Sequence, residues 1–425
     1  MTTTATVHNG PDSPASPVVA GPVRRDFRIY LTGHVSTTFG TTFTALAVAV
    51  VAVQWFQATP LQIGLLSAAA TIPSLLLGPA VGVLADRVRR PRRLLVITDL
   101  ACAALLTALA AGLAGGLRGI HWLVAFAVLL GAGSLVTRSL FFTHINSLGL
   151  PELAPARATL QAGTYVSGAA GQATVGPAIA MFGPVIAFAV DAACYLLSAV
   201  CLRSLRASDR NPAVDRRGSA AEKPDLMLGM RTVFRGRLGL LVAFAVISQL
   251  GFVGCLALRP LFLLETLGLP VNLVAAPSFC AAVLGVVGSL AAGAALRRGR
   301  RAETMLALCW AGGAVSALLL PAAGGPVGWA LALACAGTAL PVMAGAAANV
   351  ALVALLTEWI PEEIMGQVNA ALMVPLTVSA AAGPLLAGFL GQVGGVRTAM
   401  FTSAVLGVLA LPLLGGVLRS RTVKQ

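Results

Sequence analysis

The chain has 425 residues, 57% of them hydrophobic and only 10% charged, with a mean hydropathy of +0.88 and a formal net charge of +14. A water-soluble protein carries about 25% charged residues, and a soluble chain this apolar would expose large apolar patches and aggregate. Uncharged runs of about 20 residues, the length of a membrane-crossing helix, recur along it, so the composition excludes a set of soluble domains and points to a polytopic membrane protein.

Residues 1–27, rich in Thr, Pro, Ser and Gly, lack an apolar core of signal-peptide length and read as a disordered cytoplasmic tail. Charged or turn-rich breaks then delimit twelve apolar spans, at about 28–57, 61–85, 94–116, 120–145, 159–182, 184–205, 238–264, 271–296, 303–322, 326–356, 365–391 and 396–418. The first carries His34, Thr38 and Thr41 at i, i+4 and i+7, a polar stripe that either faces a wet cavity or packs through its hydroxyls. The second ends in Gly78-x3-Gly82, a small-residue seam for close helix contact. Asp99 stands about a turn inside the third, where a stabilising pair with a nearby arginine is expected ahead of proton binding. Arg138 lies within the fourth, in LVTRSLFF. An ionisable group inside a span is costly and a functional candidate. Arg138 therefore binds an anionic group or changes partners during a cycle, or else it snorkels or pairs structurally with Asp99.

The fifth span adds Gln161, Tyr165 and Gln172, and only Phe182-Gly183-Pro184 separates it from the sixth. Asp191, in AFAVDAACY of the sixth, is a carboxyl that can exchange protons or serve as a structural hydrogen-bond acceptor. In the second half Arg259 lies near the outer end of the seventh span, six residues before Glu265, as a candidate external gate; for Glu265 itself snorkelling is the favoured reading. Gly285-x3-Ser289-x3-Gly293 forms a second small-residue seam. The seven cysteines all fall in or beside apolar runs without a CxxC pair, so each reads as a small buried hydrophobe.

Of the 29 basic residues, all but Arg118, Arg138, Arg259 and Arg397 fall in the tails or in the turns after even-numbered spans. The positive-inside rule therefore places both termini in the cytoplasm. Because the bases sit beside spans with no aromatic interleaving, no nucleic-acid partner is expected. The basic stretch from Arg203 to Arg237 splits the spans six and six, and the halves look related: Gly176-Pro177 aligns on Gly383-Pro384. Two parallel six-helix repeats are a transporter architecture with the substrate site between them near the midplane. The expected organisation is a tail at 1–27, a six-helix bundle at 28–205, a basic cytoplasmic linker at 206–237, a second bundle at 238–418 and a tail at 419–425.

Between the second and third spans stands GVLADRVRRPRR, one acid among five arginines. A topology determinant needs the arginines but no acid. Gly82, Leu84, Ala85, Asp86, Arg87, Arg89 and Arg90 resemble the loop 2–3 signature of the major facilitator superfamily, and HVSTTFGTTFTALAV, LLVITDL, AFAVDAACYLLSA and the turn PEEIMGQ resemble its drug-exporter branch with macrolide and siderophore exporters. The resemblance implies an all-α membrane protein of twelve transmembrane helices in two six-helix pseudo-repeats. It also implies that Gly82, Asp86, Arg87, Arg89 and Arg90 form a conformational latch that closes the cytoplasmic side. RRGRR in the second half carries no acid, and the Gly-Pro pair of the fifth span resembles the antiporter signature of that helix, with Ala180 and Met181 where the signature has glycines.

The expected function is a secondary active transporter in the bacterial inner or plasma membrane. It would export small amphipathic molecules (drug, antibiotic or secondary metabolite) by proton antiport and act as a monomer in the lipid bilayer. A nutrient importer shares the fold. A membrane-embedded enzyme is the rival of another class, but the four histidines form no metal-spaced pair and no G-x-S-x-G elbow occurs. With no G-x4-G-K-[ST] either, neither ATP drive nor any cofactor is expected.

Overall fold

The computed structural model describes residues 21–117, 119–145, 153–206, 236–360 and 362–419. Among them the regular elements are all helical and form twelve spans. The first six are α1 (Gly21–Val50), α2 (Pro60–Arg87), α3 (Pro91–Ala114), α4 (Ile120–His144), α5 (Leu153–Phe182) and α6 (Val185–Arg203). They are followed by α7 (Gly236–Leu261), α8 (Ala276–Arg297), α9 (Ala302–Ser316), α10 (Val327–Trp359), α11 (Glu362–Gly394) and α12 (Val396–Leu409). Short turns extend some of them, among them Val271–Val274 before α8 and Leu411–Arg419 after α12. Eleven of the spans are long and apolar enough to cross a membrane; the exception is α5, whose Gln, Thr, Ser and Gly residues dilute its apolar content.

The ends of the helices differ from the sequence expectation where polar residues continue a helix. Residues 21–27, assigned to the tail, belong to α1, and Asp26 there is buried, its carboxylate accepting from the Arg206 amide at 3.1 Å. Residues 362–364, read as part of a turn, begin α11. The remaining tail and linker residues, 1–20, 207–235 and 420–425, lie outside the described residues. The narrow break between α5 and α6 holds because Gly183 adopts φ 77°, its amide donating to Ile179 O at 2.8 Å, a left-handed helix end that glycine enters without strain. At the other kind of end, Thr59 and Gln62 close a capping box with Pro60 at the first position of α2.

α1 and α7 finish alike. Each runs into a π turn, Val51–Trp55 and Phe262–Thr266, closed by Ala58 N to Ala52 O and by Leu269 N to Leu263 O, both at 2.9 Å. The packing repeats too. α1 lies on α5 and α6, α2 on α4, and α3 on α4 and α6; α7 lies on α11 and α12, α8 on α10, and α9 on α10 and α12. Between the halves, α2 packs on α11 and α5 on α8.

Those cross-half contacts sit at the end away from the basic turns. Gly64 of α2 presses on Pro384 and Gly388 of α11 so closely that a side chain would not fit, and Gly176 of α5 approaches Asn272 O within 2.7 Å of where a Cβ would stand. The largest apolar cluster lies there and draws on both halves, including Val51, Ile63, Phe188, Phe262, Leu263 and Met400. At the basic end the cores are separate: Tyr30, Leu95, Phe141 and Leu202 in one half, Leu241, Phe244, Leu355 and Leu414 in the other. Among the described residues no core cluster joins the halves at that end. Among the described residues the halves are joined at the end away from the basic turns.

Candidate functional site

Three polar places lie within the bundle. The first is an edge where α1, α4 and α5 meet. His34 Nε2 stands 3.0 Å from Thr164 Oγ1, and its ring lies 4.9 Å from that of Phe141. Arg138, one turn before Phe141, is exposed and within electrostatic range of His34, while Gln161 and Tyr165, on either side of Thr164, are also exposed. The fold thus brings His34, Arg138, Gln161 and Tyr165 together. Gln172, two turns further along α5, is half-buried. Thr38 and Thr41 do not extend the polar edge: their hydroxyls donate back into α1, to His34 O and Thr38 O, each at 3.0 Å. Such i−3 and i−4 bonds satisfy a hydroxyl locally without a cavity.

The second place is buried inside the first half, behind α1. Asp99 of α3 and Asp191 of α6 are almost wholly inaccessible. Ser198 Oγ donates to Asp99 Oδ2 at 2.6 Å, and Thr44 Oγ1 donates to Asp191 Oδ2 at 2.5 Å. In both carboxyls Oδ1 is buried without a hydrogen-bond partner. Among the described residues no arginine pairs with Asp99: Ser198 holds one oxygen, Thr137 of α4 lies beside the group, and Arg138 is on the exposed edge. Sequence reading missed Thr44, Tyr195 and Ser198. The signal was there in Asp191, Tyr195 and Ser198 at i, i+4 and i+7, one face of α6. It also missed the seam that seats α1 on that face. Gly33 packs against Ser198 and Gly40 against Asp191 and Cys194, while between them Ser36 Oγ donates to Cys194 O at 2.8 Å.

The third place is in the second half. Arg259 of α7 donates to Ser278 Oγ of α8, and its Nε is buried without a partner. Glu265 is exposed, and among the described residues the recorded partner of Arg259 is Ser278. The outer closure is instead braced by Arg397, which donates to Ala323 O at 2.8 Å and lies over the Phe262 ring.

At the cytoplasmic end, Arg89 and Arg90 are exposed, and Arg92 Nη1 donates to Leu205 O at 2.7 Å, tying the loop to the end of α6. The helix runs on through Arg87, but the side-chain surroundings of Gly82, Asp86 and Arg87 lie outside the described residues. The expected seam at Gly78 is not packed, since a Cβ there would meet nothing within 4 Å. In the second seam Gly285 does pack, against Val342 of α10.

The sequence profile described as Major Facilitator Superfamily matches residues 30–344. No curated protein matches the chain. Among solved structures, a nucleoside transporter NupG (D323A mutant) superposes with a TM-score of 0.74 at 12% identity, covering 93% of this chain and 99% of that one. A bacterial homolog of the human lysosomal transporter Spinster, inward-facing and unoccupied, gives 0.69 at 16%, covering 95% and 98%. A bacterial homologue of the iron transporter ferroportin, also inward-facing, gives 0.69 at 15%, covering 93% and 98%. At these identities the likeness establishes the fold alone.

Proposed function

The chain belongs to the Major Facilitator Superfamily, and we propose that within it the protein exports small amphipathic molecules, such as a drug, antibiotic or secondary metabolite, in exchange for protons. It is a multi-pass membrane transporter and not an enzyme. The observation that carries the proposal is the polar edge of α1, α4 and α5, where Arg138, His34, Gln161 and Tyr165 stand on an otherwise apolar bundle. A few convergent polar groups in apolar surroundings suit cargo with an oily body and one polar end. The resemblance of α1, the start of α3, α6 and the start of α11 to drug exporters favours outward movement. Two buried carboxyls, Asp99 and Asp191, supply groups able to take up and release protons.

The test is accumulation in intact cells. Cells expressing the protein should hold less of at least one compound from a panel of amphipathic dyes and antibiotics than cells lacking it, and a protonophore should abolish the difference. Higher accumulation on expression would make the protein an importer, and chemically altered compound would make it an enzyme.

A further inference from the structure

We propose that Arg259 and Ser278 form an anion site, built to take the carboxylate of an amphipathic cargo molecule. This deepens the export reading above and rests on it for the cargo, while the site itself stands on the second half alone.

Arg259 lies within the apolar span of α7, and Ser278 within that of α8. The guanidinium donates from Nη2 to Ser278 Oγ. Its Nε is buried without a partner, and its Nη1 takes no acceptor among the described residues. A cation held only by a neutral hydroxyl inside an apolar bundle calls for a counter-ion. Among the described residues no acid provides it. Asp99 and Asp191 are held in the first half by Ser198 and Thr44. Glu303 and Glu358 stand at the cytoplasmic ends of α9 and α10, and Glu265 is exposed. Snorkelling does not account for the side chain. A helical side chain leans toward the N-terminus of its helix, which for α7 is the cytoplasmic end, so the stem tilts away from the nearer, outer face. The head then crosses to α8.

Both residues sit one turn to the cytoplasmic side of the contacts that join the halves. Arg259 precedes Phe262 and Leu263, and Ser278 follows Ala275 at the start of α8. Phe262, Leu263 and Ala275 belong to the apolar cluster that both halves build, and Ala275 lies against Gly176 of α5. The donor set selects the class of ligand. Nε–H and Nη2–H share one edge of the planar guanidinium, and two parallel donors match the two oxygens of a carboxylate. Ser278 Oγ now accepts from that edge, and its own hydrogen finds no acceptor among the described residues. When a carboxylate takes the edge, the hydroxyl turns from acceptor to donor, so no group is left bare. An amide end offers one oxygen to the two donors, and an ammonium end offers none.

Equilibrium dialysis of the purified full chain in lipid nanodiscs against labelled 1-naphthylacetate tests the site without transport. Physiological sodium chloride is present throughout, empty nanodiscs give the blank, and 1-naphthylacetamide is the uncharged twin. The wild type should bind the acid about tenfold more tightly than the amide. Arg259→Gln should make the two equal. Ser278→Asp, which gives the guanidinium a carboxylate of its own and leaves the arginine in place, should also make them equal. Should Arg259→Gln fail to fold, Ser278→Asp decides. Equal affinities in the wild type, which a site occupied by chloride would also give, would overturn the proposal, as would a preference for the acid that survives in Ser278→Asp. A wild type that prefers the acid but exports no panel compound would sink the export reading and leave this site standing.

Discussion

The crossing of α1 on α6 and that of α7 on α12 are the same structure with different chemistry. In the first half Gly40 lies against Asp191 and Cys194; in the second Gly251 lies against Ser403 and Leu406. The helices pair alike, both first helices end in π turns, and the glycines occupy matching places. Yet the position that holds a buried acid in one half holds a buried serine in the other. A duplicated backbone thus keeps the close approach of the two helices, while a single residue decides whether a buried carboxyl stands at the crossing. The second half carries instead the half-buried Arg259, with a neutral partner in Ser278.

The largest effects should come from the shared feature. Gly40→Leu and Gly251→Leu should both abolish monodisperse protein in size-exclusion chromatography, because overpacking a tight contact costs about 1–3 kcal/mol even where backbones can shift, and here a side chain would collide with Asp191 or with Ser403 O. Tolerance at one and not the other would break the equivalence of the crossings. Gly78→Ala, at an open glycine, should leave the elution profile unchanged.

Next come changes that should separate the halves. Asp191→Asn should fold and lose concentrative export, whereas Ser403→Ala should retain it. Equal loss in both would mean that the crossing as a whole matters and the acid does not.

Arg138→Ala should reduce transport about tenfold, a loss of about 1.4 kcal/mol, with little change in yield, since the side chain is exposed. A fall in yield matching the fall in transport would make Arg138 structural. The smallest shift should come from Asp86→Asn. A latch biasing two states by about 1.4 kcal/mol changes their ratio about tenfold, toward the inward-open form, and cytoplasmic labelling of a single introduced cysteine in a variant lacking the native ones measures it. Unchanged labelling with an altered substrate profile would place Asp86 on a binding surface.

Much of this fold is legible in the sequence. Twelve apolar runs and the arginine-rich turns give the spans and their direction, because a bilayer demands length and apolarity and charge is sorted across it. The likeness of the halves shows in Gly176-Pro177 and Gly383-Pro384. The helix ends were less legible, since the polar residues around Asp26 and Glu362 read as tail and turn but continue a helix. Of the candidate site, His34, Arg138, Gln161 and Tyr165 were named individually, and what the sequence could not give is that they share an edge. Asp99 was matched to arginine on charge alone, but its neighbours are set by packing, and the packing brought Ser198.

The most direct test of proton coupling in the first half uses inverted membrane vesicles with an acidic lumen and a pH-sensitive dye, given a compound that the cell assay identifies as exported. Adding the compound should draw protons out of the lumen with the wild type and with Ser403→Ala, and should fail to do so with folded Asp191→Asn. Proton movement undiminished in Asp191→Asn, or export by the wild type without any proton movement, contradicts it.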